Sequence, residues 1–255
     1  MRFTMGIFLS LINISIFLSC SANANVPIYS EMYMYDNEHC YEDTDTILNS
    51  PISVSDPIAP INKHIFYINW MLDTILFIPA AEIYKTSIPK KTRVYVNNFM
   101  TNITEPINFF NLIFQGKFKQ SQIPLARFMT NSLLGFFGIM DVASEFKLKY
   151  KSEDFGRTLA FYNVPRGPYL VVPLLGPTTA RDLTGKVIDF VMDPVRYSLS
   201  NRDRSIINST WLLQKRVDNN TVINTIKSSI DPYETAKQIY IQNRNKQLKD
   251  NETNE

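Results

Sequence analysis

Residues 61–78 read INKHIFYINWMLDTILFI, and the arrangement of polarity within them decides what kind of fold this chain can have. A helix on the surface of a water-soluble domain carries one apolar stripe and a polar remainder. Here the proportions are reversed. At about 100° per residue, Asn62, Asn69 and Asp73 fall within a stripe roughly 40° wide. Ile65, Ile68, Trp70, Met71, Leu72, Ile75, Leu76 and Ile78 occupy the rest of the circumference. Two readings fit: a central core helix whose few polar groups are hydrogen-bonded, or a helix that faces lipid outside and a polar lumen inside.

The next apolar stretch repeats the inversion. After Pro106, the residues Ile107, Phe109, Phe110, Leu112, Ile113 and Phe114 surround a stripe of Asn108, Asn111 and Gln115, closed by Gly116. Neither run reaches the roughly 20 residues needed to cross a bilayer, so the expectation is a protein lying in one leaflet, as interfacial proteins do. Further on, Leu133–Met140 reads LLGFFGIM, with Asp141 next. It is either a buried turn between core helices or a flexible hairpin dipping into the membrane, and Gly135 and Gly138 permit the bend or hinge.

Prolines at 79, 89, 106, 124, 165, 168, 173, 177, 194 and 232 read as breaks between short helices packed at angles. Strand alternation is confined to the stretch from Tyr169 to Pro173. Within Asp154–Asp189, Thr179 and Asp182 have the spacing of a capping box, and Arg181, Asp182, Lys186 and Asp189 follow at helical spacing. These charges form either a solvated, salt-bridged first turn or the mouth of a lumen, where a cation meets a lipid phosphate.

At 255 residues the chain suffices for one sizeable domain, and 17 Phe with 13 Tyr bring aromatics to 13%, which points to extensive apolar or interfacial surface. A net charge of +2 is too small for the long-range attraction that nucleic-acid binding needs. Residues 1–24 have the parts of an export signal: Arg2, an apolar run from Ile7 to Leu18, then small polar residues. Two endings compete. Leu18-Ser19-Cys20 has the form of a lipoprotein box, with lipidation at Cys20, whereas Ala22-Asn23-Ala24 is a small-x-small cleavage site. Either route leads out of the cytoplasm. With only Cys20 and Cys40 present, no disulfide framework is available once Cys20 is lipidated or removed. Residues 25–55 read as a polar arm or linker, 56–247 as the folded domain and 248–255 as a polar tail. The chain from Gln242 onward is almost wholly polar and is expected to end as a frayed tail.

Signals for catalysis are poor. There is no G-x-S-x-G, H-E-x-x-H, G-x-x-x-x-G-K-[ST] or C-x-x-C, and the two histidines, His39 and His64, are too few for a histidine-based acid–base or metal site. The expectation is a protein that is not an enzyme and needs no cofactor or metal.

The order of short motifs resembles the MlaA family, also called VacJ, of outer-membrane phospholipid-transport lipoproteins. The resemblance runs from about Asp56 to Gln247. Asp56-Pro57, Ile61-Asn62-Lys63, Ile68-Asn69 and Leu72-Asp73 open it, followed by Asn97-Asn98-Phe99, Asn102 with Glu105-Pro106, Asn111 with Gln115-Gly116, Arg127-Phe128, Asn131 and Asp141. Its strongest pieces are Asp154-Phe155-Gly156 with Thr158-Leu159, Gly167-Pro168-Tyr169, Pro173 with Gly176-Pro177, and Arg181-Asp182 with Gly185. Asp231-Pro232-Tyr233 closes the series. Ile61, Lys63 and Phe137 stand where the family carries Phe, Arg and Gly.

The resemblance implies an all-α, ring-shaped bundle of short amphipathic helices around a central channel, lying in the periplasmic leaflet of the bacterial outer membrane. It also implies association with a trimeric porin and delivery of mislocalised outer-leaflet phospholipid to a soluble periplasmic carrier, which keeps the outer membrane's lipids asymmetric. Asn62, Asn69 and Asp73 are then candidate channel residues, with Arg181, Asp182 and Lys186 at the mouth. The competing expectation is a structural module of the outer membrane that binds porin or lipid without transporting.

Overall fold

The computed structural model describes residues 52–193, 197 and 199–252, and begins its regular structure with the inverted helix. Helix α1 (Ala59–Leu72) opens with a proline in its first turn and continues through a π-turn, Asp73–Phe77, into α2 (Ile78–Ser87). The export signal, Cys20 and most of the polar arm lie outside the described residues. So do residues 253–255 of the tail.

Pro79 does not end the helix. Its ring would press on the carbonyl four residues earlier, at Ile75, and the π-turn widens the backbone ladder at that point. The result is a 29-residue helical stretch, Ala59–Ser87, long and apolar enough by length and composition to cross a bilayer. The expectation that this run falls short of spanning length is therefore corrected. Pro106 and Pro124 likewise sit inside helices, within α3 (Lys90–Phe114) and α4 (Phe118–Leu133).

After α4 comes an exposed turn through Leu134–Met140, then a single helical turn, α5 (Val142–Glu145), and α6 (Phe155–Phe161). A two-stranded antiparallel hairpin follows, β1 (Tyr169–Val172) and β2 (Gly176–Thr179), with Tyr169 opposite Thr179 and Val172 opposite Gly176. Strand β1 falls where the sequence alternates. Among the described residues, the helices that follow are α7 (Ala180–Met192), α8 (Asn201–Asp218), α9 (Asn220–Ser228) and α10 (Pro232–Glu252). The fold is all-α apart from that hairpin. The tail expected to fray is helical to Glu252, and its polar residue Arg244 is buried.

The larger of two apolar clusters among the described residues lies where Phe66 of α1, Tyr169 and Val171 of β1, Ile226 of α9 and Tyr233, Ile239, Tyr240 and Ile241 of α10 meet; Ile223 of α9 centres the smaller. Phe66 stands edge-on to Tyr233 at 5.7 Å and to Trp70 at 6.0 Å. Ile52 and Val54 pack on the same cluster, and Gln238 bonds both the N–H and the carbonyl of Ile52. The end of the arm is thus part of the fold.

Candidate functional site

Elsewhere the interior is polar. Among the described residues, 27 polar or charged side chains are buried against 16 apolar ones, while 30 large apolar side chains are exposed. Buried charges cost several kcal/mol unless paired and hydrogen-bonded, so such an inside stands only as a connected network.

The stripe of α1 begins it. Asn62 donates to the Tyr169 carbonyl at 3.0 Å and accepts from the Val171 N–H at 2.9 Å. Two turns on, Asn69 donates to the Val172 carbonyl at 3.0 Å and accepts from the Leu174 N–H at 2.8 Å. The two amides bond β1 as a neighbouring strand does. Asp73 then pairs with Arg216 of α8 through Nε at 2.6 Å and Nη2 at 3.1 Å, and with Lys227 of α9 at 2.7 Å. Asn62 is 1%, Asn69 7% and Asp73 2% exposed. In the structure their polar groups are spent on the hairpin and on two cations.

A second cluster joins α3, α4 and the turn. Arg127 reaches Glu105 at 2.5 Å and both Asp141 oxygens at 3.1 and 3.2 Å, and also donates to the Leu148 carbonyl. Asn131 binds Asp141 and the Ala143 N–H. Burial pushes the Glu105 carboxyl up to about 7, and its bonds from Arg127 and Asn108 pull it only part of the way back. Burial also works against the Asp141 charge, but bonds from Ser144 and Asn131 and the Arg127 charge hold its carboxyl below the usual range.

The second stripe, Asn108, Asn111 and Gln115, faces α6, α7 and the segment between α5 and α6. Asn108 accepts from the Glu153 N–H, Asn111 bonds Asp189 and Thr158, and Gln115 bonds Glu153 and Thr158.

The third cluster explains the glycines of the Asp-Phe-Gly and Arg-Asp-x-x-Gly motifs. Asp154 caps α6 by accepting from the Arg157 N–H at 2.9 Å and takes two bonds from Arg244 at 2.6 and 2.7 Å. Thr179 caps α7 as its spacing with Asp182 predicts. Asp182 accepts from Arg244 at 3.1 Å, Tyr240 at 2.7 Å and Arg181 at 3.2 Å. Burial opposes the Asp182 charge, but Arg244, Arg181 and Tyr240 hold its carboxyl well below the usual carboxylate range. Helices α6 and α7 cross at two glycines, since a Cβ on Gly185 would lie 2.2 Å from the Gly156 nitrogen.

The predicted mouth charges are therefore buried as well. Arg181 is 8%, Asp182 1% and Lys186 9% exposed, and Lys186 donates to the Thr178 hydroxyl at 3.1 Å. Of the reading as a solvated, salt-bridged first turn, the ion pairing of Asp182 is seen and the solvation is not. Arg244, Arg127 and Glu105 escaped sequence reasoning as a frame because their partners are distant: Arg244 lies 90 residues from Asp154 and Arg127 lies 22 from Glu105.

The outer surface is the complement of this frame. Ile61, Ile68 and Ile75, at seven-residue spacing along one face, are 56%, 48% and 62% exposed. The turn at 134–140 is an exposed apolar hairpin, not a buried turn, with Phe136 and Phe137 standing out between Leu133 and Met140. Gly138 (φ +93°) packs so closely on Asn102 that a Cβ would come within 2.5 Å of that side chain, and a Cβ on Gly135 would meet the Met140 carbonyl oxygen at 2.2 Å. These two glycines close the hairpin tightly.

A helical protein with one hairpin, charged within and greasy without, belongs to the class whose surface is covered by a membrane or by another protein rather than by water alone. The chain belongs to the MlaA lipoprotein family, whose model matches residues 54–247. It is 35% identical over 192 residues to an uncharacterised protein of Rickettsia prowazekii, covering 72% of this chain and 74% of the relative. It is 28% identical over 193 residues to the intermembrane phospholipid transport system lipoprotein MlaA of Haemophilus influenzae, covering 74% of this chain and 77% of the relative. A solved structure reported as the structural basis for maintenance of bacterial outer membrane lipid asymmetry superimposes with a TM-score of 0.69 at 29% identity, covering 76% of this chain and 99% of the other.

Proposed function

We propose that this protein is the outer-membrane component of an intermembrane phospholipid transport system, which removes mislocalised phospholipid from the outer leaflet and passes it to a soluble periplasmic carrier. The observation that carries this reading is the inverted distribution of polarity, with 30 large apolar side chains among the described residues exposed around a charged, hydrogen-bonded frame. Acyl chains need apolar walls and a headgroup needs polar company, and without both, moving a charged headgroup past hydrocarbon costs several kcal/mol. No bond is made or broken in this work. The relatives named for phospholipid transport support the assignment.

The helices form a ring around an amphipathic channel, lying in the periplasmic leaflet beside a trimeric porin. Support for the in-plane position comes from α8. Tyr84 of α2 bonds Gln214 of α8, and Asp73 bonds Arg216. The long helix is therefore tied to an element that opens with Arg202, Asp203 and Arg204, charges that hydrocarbon would not accept. With Asn62, Asn69 and Asp73 sealed, the polar lining of the path comes from other residues.

The test is lipid transfer. The full chain, reconstituted in vesicles with labelled phospholipid in the outer layer, is expected to deliver label to a soluble acceptor. Membrane binding without any transfer would sink this reading and leave a structural module that only holds porin or lipid.

A further inference from the structure

The loop Asn163–Gly167, which crosses the start of α7, brings two arginines together. The Arg181 N–H donates to the Arg166 carbonyl at 3.1 Å. Their charges are unevenly answered. Asp182 serves Arg181 at 3.2 Å, but the same oxygen also accepts from Arg244 at 3.1 Å, and the other is taken by Tyr240 and Thr179. Arg166 has only the neutral Asn245 amide oxygen as a side-chain partner among the described residues, with no carboxylate in ion-pair range.

Two nitrogens are left over. Arg166 Nε and Arg181 Nη2 are buried with no hydrogen-bond partner among the described residues, and Arg181 as a whole is 8% exposed. Orphaned donors on charged groups are expensive, and a missing anion is one of the few things that explain a pair of them. Burial and the Arg181 charge press the Arg166 guanidinium toward losing its proton, and the Asp182 charge offsets only part of this, so a further anion would relieve the rest. Arg166 itself is half-buried and reachable from outside. Immediately before it, Phe161, Tyr162 and Val164 form an exposed apolar strip.

We propose that Arg166 and Arg181 form a binding site for a phosphate-bearing anion: the headgroup phosphate of a phospholipid whose chains lie along Phe161, Tyr162 and Val164, or free phosphate. Planar guanidinium groups suit phosphate oxygens, and the apolar strip favours the lipid source. The headgroup version rests on the transport reading above; the phosphate site does not.

The test titrates the full chain in a nonionic detergent with three probes: dihexanoylphosphatidylglycerol, inorganic phosphate, and dihexanoylglycerol, which lacks the phosphate. Arg166→Gln is expected to weaken the phospholipid about tenfold or more while leaving dihexanoylglycerol binding and the melting temperature unchanged. Arg166→Lys, which keeps the charge but not the fork, is expected to fall between. If inorganic phosphate depends on Arg166 and the phospholipid does not, the site takes free phosphate and the headgroup version fails. If a folded Arg166→Gln protein binds both phosphate-bearing probes within about twofold of wild type, the proposal is overturned. Arg166-dependent binding by a protein that transfers no lipid would overturn the transport reading alone.

Discussion

Asp73 carries one carboxylate for two cations, Arg216 and Lys227. Asp73→Leu leaves a buried guanidinium without its counter-ion, and a loss of about 3–5 kcal/mol is expected in denaturant unfolding. Retained stability would mean that the frame does not depend on this pair. Asp154 and Asp182 set the acid limb of stability. Both carboxyls are held below the range they have in the unfolded chain, so the stability they add is complete above roughly pH 5 and drains away as pH falls through their folded values. Glu105 acts with the opposite sign: its contribution is complete below its unfolded value of about 4.3 and is lost as pH rises through about 7. Melting temperatures between pH 3 and 8 are expected to show both limbs. Arg244→Met should flatten the first and Glu105→Gln the second; an unchanged acid limb in Arg244→Met would contradict the assignment.

At the scale of elements, the crossing of α6 over α7 admits no side chain at Gly185. Gly185→Ala places a Cβ against backbone, and about 3 kcal/mol or more of overpacking strain is expected. Gly116 is the contrast: its φ of +73° disfavours alanine by about 1–2 kcal/mol, but nothing lies within 4 Å of the new carbon. Comparing the two melts separates close approach from backbone preference. Elements are also where the sequence was most and least legible. The polar stripes of α1 and α3 follow directly from helical spacing, because a 100° repeat records which residues share a face. It does not record what that face meets. An asparagine turned toward a lumen and one turned toward a strand's peptide groups have the same period, so Asn62 and Asn69 were locatable but their partners were not. Pro79 was misleading for a similar reason, since a π-turn that relieves its clash leaves no mark in the residue pattern. Arg244 was hidden in a polar tail because its value lies in a contact with Asp154 across the fold.

For the whole molecule, the greasy exterior is the property with the largest consequence for location. Phe136 and Phe137 are 69% and 77% exposed, so most of each ring lies outside the packed interior. Replacing both with serine is expected to leave the melting temperature within about 0.5 kcal/mol equivalent, while weakening partition into phospholipid vesicles by about 2–4 kcal/mol. Vesicle flotation measures the second quantity directly. Equal flotation of the variant would show that the hairpin tip lies outside the bilayer.

The amide pair on α1 has one more effect. A two-stranded sheet normally leaves two open edges, each a template onto which another chain can zip. Along β1, the Tyr169 N–H is taken by the Ser55 carbonyl, and the Tyr169 carbonyl and Val171 N–H by Asn62. That margin offers a second copy nothing to hold, which guards against polymerisation of a protein whose outer face is already prone to self-adhesion in water.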